Sequence, residues 1–242
     1  MEQQTVGIVL RIIKYNDRTN IVDVYSQDLG RCSIAVNIAQ SKRSRIKNVL
    51  FQPLSILDLT LSKRSSNGLY RLREVKPHIV FQSIPYDQYK LAIAFFISEF
   101  VYYAVRDDGE SSALFSYLKH SIEWLDEVKG VFANFHLVFL MRLSLFLGLY
   151  PNVEDYTEGD YFDLLKGSFI ATQPTDHIHF VSPADAAYMV RFMRMNYDTM
   201  HLFKFNRGER NQLLVKINDY YRIHLPSFPE LKSIDVLKTL FD

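Results

Sequence analysis

The sequence holds a single cysteine, Cys32, in 242 residues. An intrachain disulfide is therefore excluded, a cysteine-built zinc site is excluded with it, and the usage fits a reducing compartment. No Gly-x-x-x-x-Gly-Lys-Ser/Thr segment occurs, so ATP hydrolysis has no phosphate-cradling seat. A secretory signal is not expected, because residues 1–4 carry no basic group and the apolar stretch after them is interrupted by Arg11 and Lys14. Long uninterrupted hydrophobic runs are missing too. The two best candidates, residues 91–105 and 131–149, contain Ser98 and Glu99 in the first and His136 and Arg142 in the second. A membrane span needs about 20 mostly apolar residues, so both are predicted as buried helices of a bundle. The expected location is cytoplasmic.

What the chain does have is a divided charge. Residues 1–76 carry 13 Lys and Arg against 6 Asp and Glu, a net of +7, whereas residues 77–242 carry 15 against 21, a net of −6. The formal total of +1 conceals the division. Such asymmetry points to a basic module that meets a polyanion, joined to a module with another task. With 48% hydrophobic and 23% charged residues, the chain can bury one sizeable core or two small ones.

The two halves also differ in period. Residues 5–15 alternate, with Val6, Ile8, Leu10 and Ile12 on one face, and further alternating runs at 21–26, 31–37, 54–61 and 69–75 are separated by turn chemistry. Five short strands with an irregular basic insert between the third and fourth match the OB-fold, a small Greek-key barrel that holds oligonucleotides, although other small barrels share the strand count. Beyond Pro77 the period becomes about 3.6. Pro85 is placed to open a helix running to Ala104, Ser111 or Ser112 caps a second with Leu114, Leu118, Ile122 and Leu125 on one stripe, and residues 131–147 form a central apolar helix ending at Gly148. Ser182, Pro183 and Asp185 begin a helix to Met200, and a last long helix covers 209–224. Runs at 161–165 and 169–172 flank Lys166-Gly167-Ser168 as a hairpin, with His177 and His179 on a following strand. The expected architecture is α+β and multidomain: an OB-fold barrel over residues 1–80, then a mainly α-helical domain over 81–242 with a small β-hairpin at about 159–181.

The strongest local signal is Lys42, Arg43, Arg45 and Lys47, four cations with no acid near them in the sequence. Lys63 and Arg64 fall in the loop between the last two strands, and Arg71 and Arg73, two apart on one strand, share a face. Together with Arg11 and Lys14 these are the candidate phosphate contacts. Tyr15, Tyr25, Phe51 and Tyr70 are candidate stacking surfaces, Tyr25 foremost, since single-stranded nucleic acid is held by cations and by aromatic platforms. Catalytic signals are weak: His177 and His179, with Asp176 adjacent, lack a further ligand at metal-binding spacing. Arg142 inside an apolar helix needs an ion-pair partner or a mouth to solvent.

Several stretches resemble the RecO family, bacterial recombination mediators of gap repair in the RecF pathway. Lys42-Arg43-Ser44-Arg45 leading through Leu50-Phe51-Gln52-Pro53-Leu54 is similar to the family's basic segment and fourth strand, and Leu72-Arg73-Glu74 to the end of its barrel. FLMRLSLFLGLYP, from Phe139 to Pro151, resembles its central helix and exit. Tyr161-Phe162-Asp163-Leu164 with Gly167 and Phe169 resembles its hairpin, and His224-Leu225 with Leu231-Lys232-Ser233 its last helix and tail. The resemblance implies binding of single- and double-stranded DNA, annealing of complementary strands, and cooperation with RecR to load RecA onto DNA coated by single-strand-binding protein, without catalysis and at the nucleoid. It also implies docking of that protein's acidic C-terminal tail on Arg142 with Phe139, Phe146 and Tyr150, or on Lys204, Arg207 and Arg210. Many members carry a four-cysteine zinc module around residues 156–183; this chain has no cysteine there and is expected to be a zinc-free member with no cofactor. An RNA-binding OB protein with a helical partner-docking domain remains the alternative, because phosphate and stacking contacts serve both polymers.

Overall fold

A computed structural model of the chain describes residues 2–37, 49–63, 68–105 and 109–239, without the Lys63 side chain. Its first part is a closed five-stranded barrel of strand order β1-β2-β3-β5-β4, built from β1 (Glu2–Asn16), β2 (Thr19–Ser26), β3 (Gly30–Asn37), β4 (Ile56–Lys63) and β5 (Tyr70–Pro77). All neighbouring strands are antiparallel except β3 and β5, which pair in parallel through Ile34 with Tyr70 and Ala35 with Arg71. This is the connectivity of an OB-type barrel. Strand alternation fills the interior: Val9, Val22, Val24, Ile34, Val36, Leu57, Leu59 and Leu61 form one buried cluster with Phe51. That interior is narrow, since a Cβ on Gly7 would lie 2.7 Å from Leu59 Cδ1. The fourth strand starts two positions later than its alternation suggests, because Leu54 adopts φ 63° and its amide turns to the Val9 carbonyl at 2.8 Å.

The chain divides into two compact units, Met1–Glu127 with Leu231–Leu237, and Val128–Glu230 with the residues from Lys238. The first unit therefore contains the barrel, α1 (Gln88–Ala104) and α2 (Ser112–Glu127). Helix α1 begins after Asp87 rather than at Pro85, because the Asp87 carboxylate accepts from the amides of Tyr89 at 2.8 Å and Lys90 at 3.1 Å. Ser111 caps α2 through the Leu114 amide, and Leu114, Leu118, Ile122 and Leu125 are buried as their spacing predicts.

In the second unit, α3 (Phe135–Phe146) is the apolar hub, with Leu137, Val138, Phe139, Leu140 and Leu143 nearly inaccessible. It is shorter than the predicted 131–147. Its end is set by Gly148 at φ 67°, which lets the Leu149 amide reach the Ser144 carbonyl at 2.8 Å. The predicted hairpin gains a third strand: β6 (Tyr161–Asp163) pairs with β7 (Ser168–Ile170) and with β8 (Phe180–Val181). His177 and His179 precede β8 in irregular chain, which corrects their expected place on a strand. Helix α4 (Pro183–Met193) starts at the Ser182 cap but stops well short of Met200, where a 3₁₀ turn, Met200–Leu202, takes over. Helix α5 (Arg207–His224) opens on a reciprocal cap between Asn206 and Glu209, and the chain then returns to the first unit, to which α6 (Ser233–Lys238) belongs in all but its last residue. Among the described residues no helix is long and apolar enough to cross a membrane.

Candidate nucleic-acid interface

The barrel presents its cations on the outside because the strand period sends every second side chain outward. Arg71 and Arg73 are both exposed on β5, where a bulge opposite the Thr60–Leu61 step inserts Arg73 between the residues paired to those two. Arg73 also has local partners: its Nε donates to Ser62 Oγ at 3.1 Å and lies 3.8 Å from Glu2 Oε1. Lys14 is exposed near the tip of the β1–β2 hairpin, 2.9 Å from Asp17, beside Tyr15 at 72% exposure. Arg11, exposed on β1, has its guanidinium carbon 5.0 Å from the centre of the Tyr102 ring, and Arg31 on β3 approaches the same ring to 4.2 Å. Arg31 was not among the sequence candidates, although its place at the outward end of a strand is the signal that finds it. Lys42, Arg43, Arg45, Lys47 and Arg64 lie outside the described residues, as does the side chain of Lys63.

The expected stacking aromatics divide. Tyr25 is fully buried, and its hydroxyl donates to the Gly109 carbonyl at 3.4 Å. Its ring therefore offers no platform to a base, which corrects its expected role. The cause is tertiary: Gly109 and Glu110 lie against the end of β3, so closely that a Cβ on Gly30 would meet Gly109 at 2.7 Å. Phe51 is likewise interior, as a plug of the barrel core. Tyr15 is open and Tyr70 half-buried. Burial first, and then the charge of Asp23, push the Cys32 thiol up to about 12.

In the second unit, Arg142 is exposed, so its guanidinium meets solvent, the second of the two expected alternatives, and it has no ion pair among the described residues. Leu145 at 52% and Phe146 at 40% exposure share its face at the i+3 and i+4 positions. Tyr150 closes the cluster, half-buried, with its hydroxyl donating to the Met193 carbonyl at 3.4 Å. Burial raises the Tyr150 phenol and the nearby Arg142 charge opposes that shift. Phe139 belongs to the core, fully buried, and so is withdrawn from this surface. The second cationic group is partly committed to backbone: Arg207 Nε donates to the Lys238 carbonyl at 3.0 Å and Arg210 Nη1 to Phe205 at 2.5 Å, while Lys204 is exposed. Burial first, and then the Arg210 charge, push the His136 imidazole down to about 3, so it is neutral in the core.

Comparison with known proteins bears on both halves of the chain. The family described as Recombination protein O N terminal matches residues 1–81, and Recombination protein O C terminal matches 85–233. The chain belongs to the RecO family. DNA repair protein RecO of Bacteroides fragilis is 54% identical over 242 residues, covering the whole of both chains, and that of Phocaeicola vulgatus is 54% identical over 241 residues. RecO of Porphyromonas gingivalis is 35% identical over 240 residues, 98% of each chain. The barrel and helical halves thus correspond to the two parts by which RecO proteins are described, and DNA repair is the process their names give.

A zinc module does not fit this RecO chain. Residues 156–183 contain no cysteine, and among the described residues no group of three or more His, Cys, Asp or Glu could hold a metal. At the hairpin the inaccessible Asp163 carboxylate accepts instead from the amides of Leu165 at 2.9 Å and Lys166 at 3.1 Å. His177 Nε2 lies 3.4 Å from its other oxygen and Lys166 Nζ 3.5 Å. Burial raises the Asp163 carboxyl, but the two amides, with His177 and Lys166 beside it, outweigh that and leave its pKa below the ordinary value.

Proposed function

We propose that this chain is a non-enzymatic DNA-binding recombination mediator of gap repair, acting in the cytoplasm at the nucleoid. In this reading the basic barrel of residues 1–80 binds single- and double-stranded DNA and promotes annealing of complementary strands. The helical part, 81–242, docks partners, and with RecR the chain helps to load RecA onto DNA coated by single-strand-binding protein. The observation that carries the reading is the concentration of basic charge, net +7 over residues 1–76, on a closed OB-type barrel in a member of the RecO family. A cationic outer surface holds phosphates of either strand, and neutralising them lowers the repulsion between two strands that must pair. The exposed face of Arg142, Leu145 and Phe146 supports docking of an acidic peptide that ends in an aromatic residue: the apolar side chains receive the ring and the guanidinium its carboxylate.

Labelled complementary oligonucleotides, DNA and RNA in parallel, with and without Mg²⁺, test the proposal. Acceleration of DNA annealing without cleavage is the expected result. Acceleration confined to RNA supports the RNA-binding alternative, and cleavage overturns the non-enzymatic reading.

A further inference from the structure

We propose that Tyr102 of α1, together with Arg11 of β1 and Arg31 of β3, forms a contact site for single-stranded nucleic acid that extends the barrel's interface onto the first helix. The inference rests on the DNA-binding reading above and identifies a surface for it. Two guanidiniums approach one tyrosine ring, at 5.0 and 4.2 Å from its centre. The ring's π-face favours each cation. It does nothing for the repulsion between them. Neither arginine has an ion pair among the described residues. Of the nearby carboxylates, Asp23, opposite Arg11 in the strand register, accepts from Ser33 Oγ, and Glu99 takes the amides of Lys232 at 3.3 Å and Ser233 at 2.9 Å, while Glu110 is exposed beside the start of β3. Two like charges gathered at one ring favour anions beside them, and phosphates repeated along a backbone can supply one to each.

The neighbouring surface indicates which polyanion. Arg11 and Tyr102 also border a groove of about 710 Å³ floored by Leu91 and flanked by Ile12 and Phe95. Ile12 is 42% and Phe95 48% exposed. Apolar surface beside paired cations suits bases that are free to leave a stack, which single strands have and duplexes do not. Further along the same face of β1 stands Tyr15, 72% exposed, a second open ring beyond Arg11. An acidic peptide would use similar chemistry, and it is a separate arm of the test.

The experiment is a salt titration of binding to a fluorescent oligothymidylate, with Arg222→Ala, an exposed cation of the other unit, as control. Arg31→Ala is expected to flatten the slope of log K against log salt by about 0.7, the share of one phosphate contact on a single strand. Arg31→Gln, which keeps the packing of the stem, is expected to do the same. Tyr102→Leu should weaken binding roughly 2- to 5-fold with the slope retained, and Tyr102→Phe should restore it. A purely structural staple would lower the melting temperature in these variants and leave the slope at its wild-type value, which overturns the site. So does a tail-like acidic peptide whose binding depends on Arg31 while oligonucleotide binding does not. If wild type itself fails to bind the oligonucleotide, the DNA-binding reading falls with the site; wild-type binding with an unchanged slope in both Arg31 variants removes the site alone.

Discussion

Replacing Asp126 should cost the first unit more stability than any exposed substitution. The Asp126 side chain, near the end of α2 and 8% exposed, accepts from three consecutive amides: Gln82 at 2.7 Å, Ser83 at 2.8 Å and Ile84 at 2.8 Å. Ser83 Oγ donates to its backbone carbonyl at 2.5 Å, and Lys90 Nζ, 3% exposed, donates to Ser83 Oγ at 2.7 Å and to the same carbonyl at 3.1 Å. One carboxylate thus fixes the segment that leads from the barrel into α1. Asp126→Ala strips the acceptor from three amides and removes a negative charge beside a buried ammonium. Hydrogen bonds to charged groups contribute about 1.5–3 kcal/mol each, and breaking a buried ionic arrangement costs about 3–5 kcal/mol. These effects overlap, so about 3–5 kcal/mol is the expected total. In urea, with a slope of about 2 kcal/mol/M, the midpoint should fall by roughly 2 M. Asp126→Asn keeps an acceptor without the charge and should lose about half as much.

The pH dependence separates charge from packing. Burial raises the Asp126 carboxyl, and the amide hydrogen bonds outweigh it, so the folded-state pKa lies below the ordinary value. A depressed carboxylate contributes stability above the unfolded-chain pKa of about 3.9 and loses it as pH falls through the folded value. The gap between wild type and Asp126→Asn should therefore be full at pH 7 and narrow below about pH 4. A loss under about 1 kcal/mol for Asp126→Ala at unchanged urea slope, or a gap that stays constant down to pH 3, refutes the reasoning.

Three further outcomes are expected. Changing Lys42, Arg43, Arg45 and Lys47 together to Ala should flatten the salt slope of single-strand binding by up to about 3 units with little change in melting temperature; an unchanged slope removes the segment from the interface. Metal analysis of protein purified without a histidine tag should give far less than one equivalent of zinc, and a chelator should leave the melting temperature unmoved, whereas stoichiometric zinc contradicts the reading of the hairpin. Arg142→Ala or Phe146→Ala should weaken binding of the acidic tail peptide while leaving binding to naked DNA and the melting curve near wild type; wild-type affinity for the peptide sinks the docking site.

What could be seen beforehand depended on whether a local period governed the outcome. The strands of the barrel and the buried stripe of α2 follow from alternation and from 3.6-residue spacing, because each element has one covered face. Tyr25, a candidate stacking surface by its residue type, stands opposite Arg31 in the register, and alternation alone does not report whether its ring is covered. Its burial comes from Gly109, remote in sequence, which no local pattern reports. In α3 the apolar run is nearly continuous, so periodicity could not distinguish Phe139, in the core, from Arg142, Leu145 and Phe146 on the open face. The start of α1 turned on competition between two helix-opening signals: Pro85 suits a first turn, but the Asp87 carboxylate satisfies two amides and prevails.

The hairpin of the second unit indicates how a RecO chain can hold this element without metal. A zinc site would draw distant ligands together through a shared ion. Here the Asp163 carboxylate closes the turn from inside, through the amides of Leu165 and Lys166, while the Gly167 amide bonds to the Asp163 carbonyl at 2.8 Å. Gly167 is required twice over at that corner. Its φ of 65° suits a residue without Cβ, and a Cβ there would stand 2.7 Å from the Tyr220 hydroxyl. That hydroxyl donates to the Leu149 carbonyl at 2.8 Å, tying α5 to the chain that leaves α3. Behind the turn, the Phe169 ring lies 4.9 Å from Phe162 and 5.0 Å from Tyr156, and its packing needs no ion. The ordering that a metal would impose is thus distributed over a buried carboxylate, one left-handed glycine and an aromatic cluster. Of the three, only the carboxylate titrates, and its amide partners help to hold its pKa below the ordinary value.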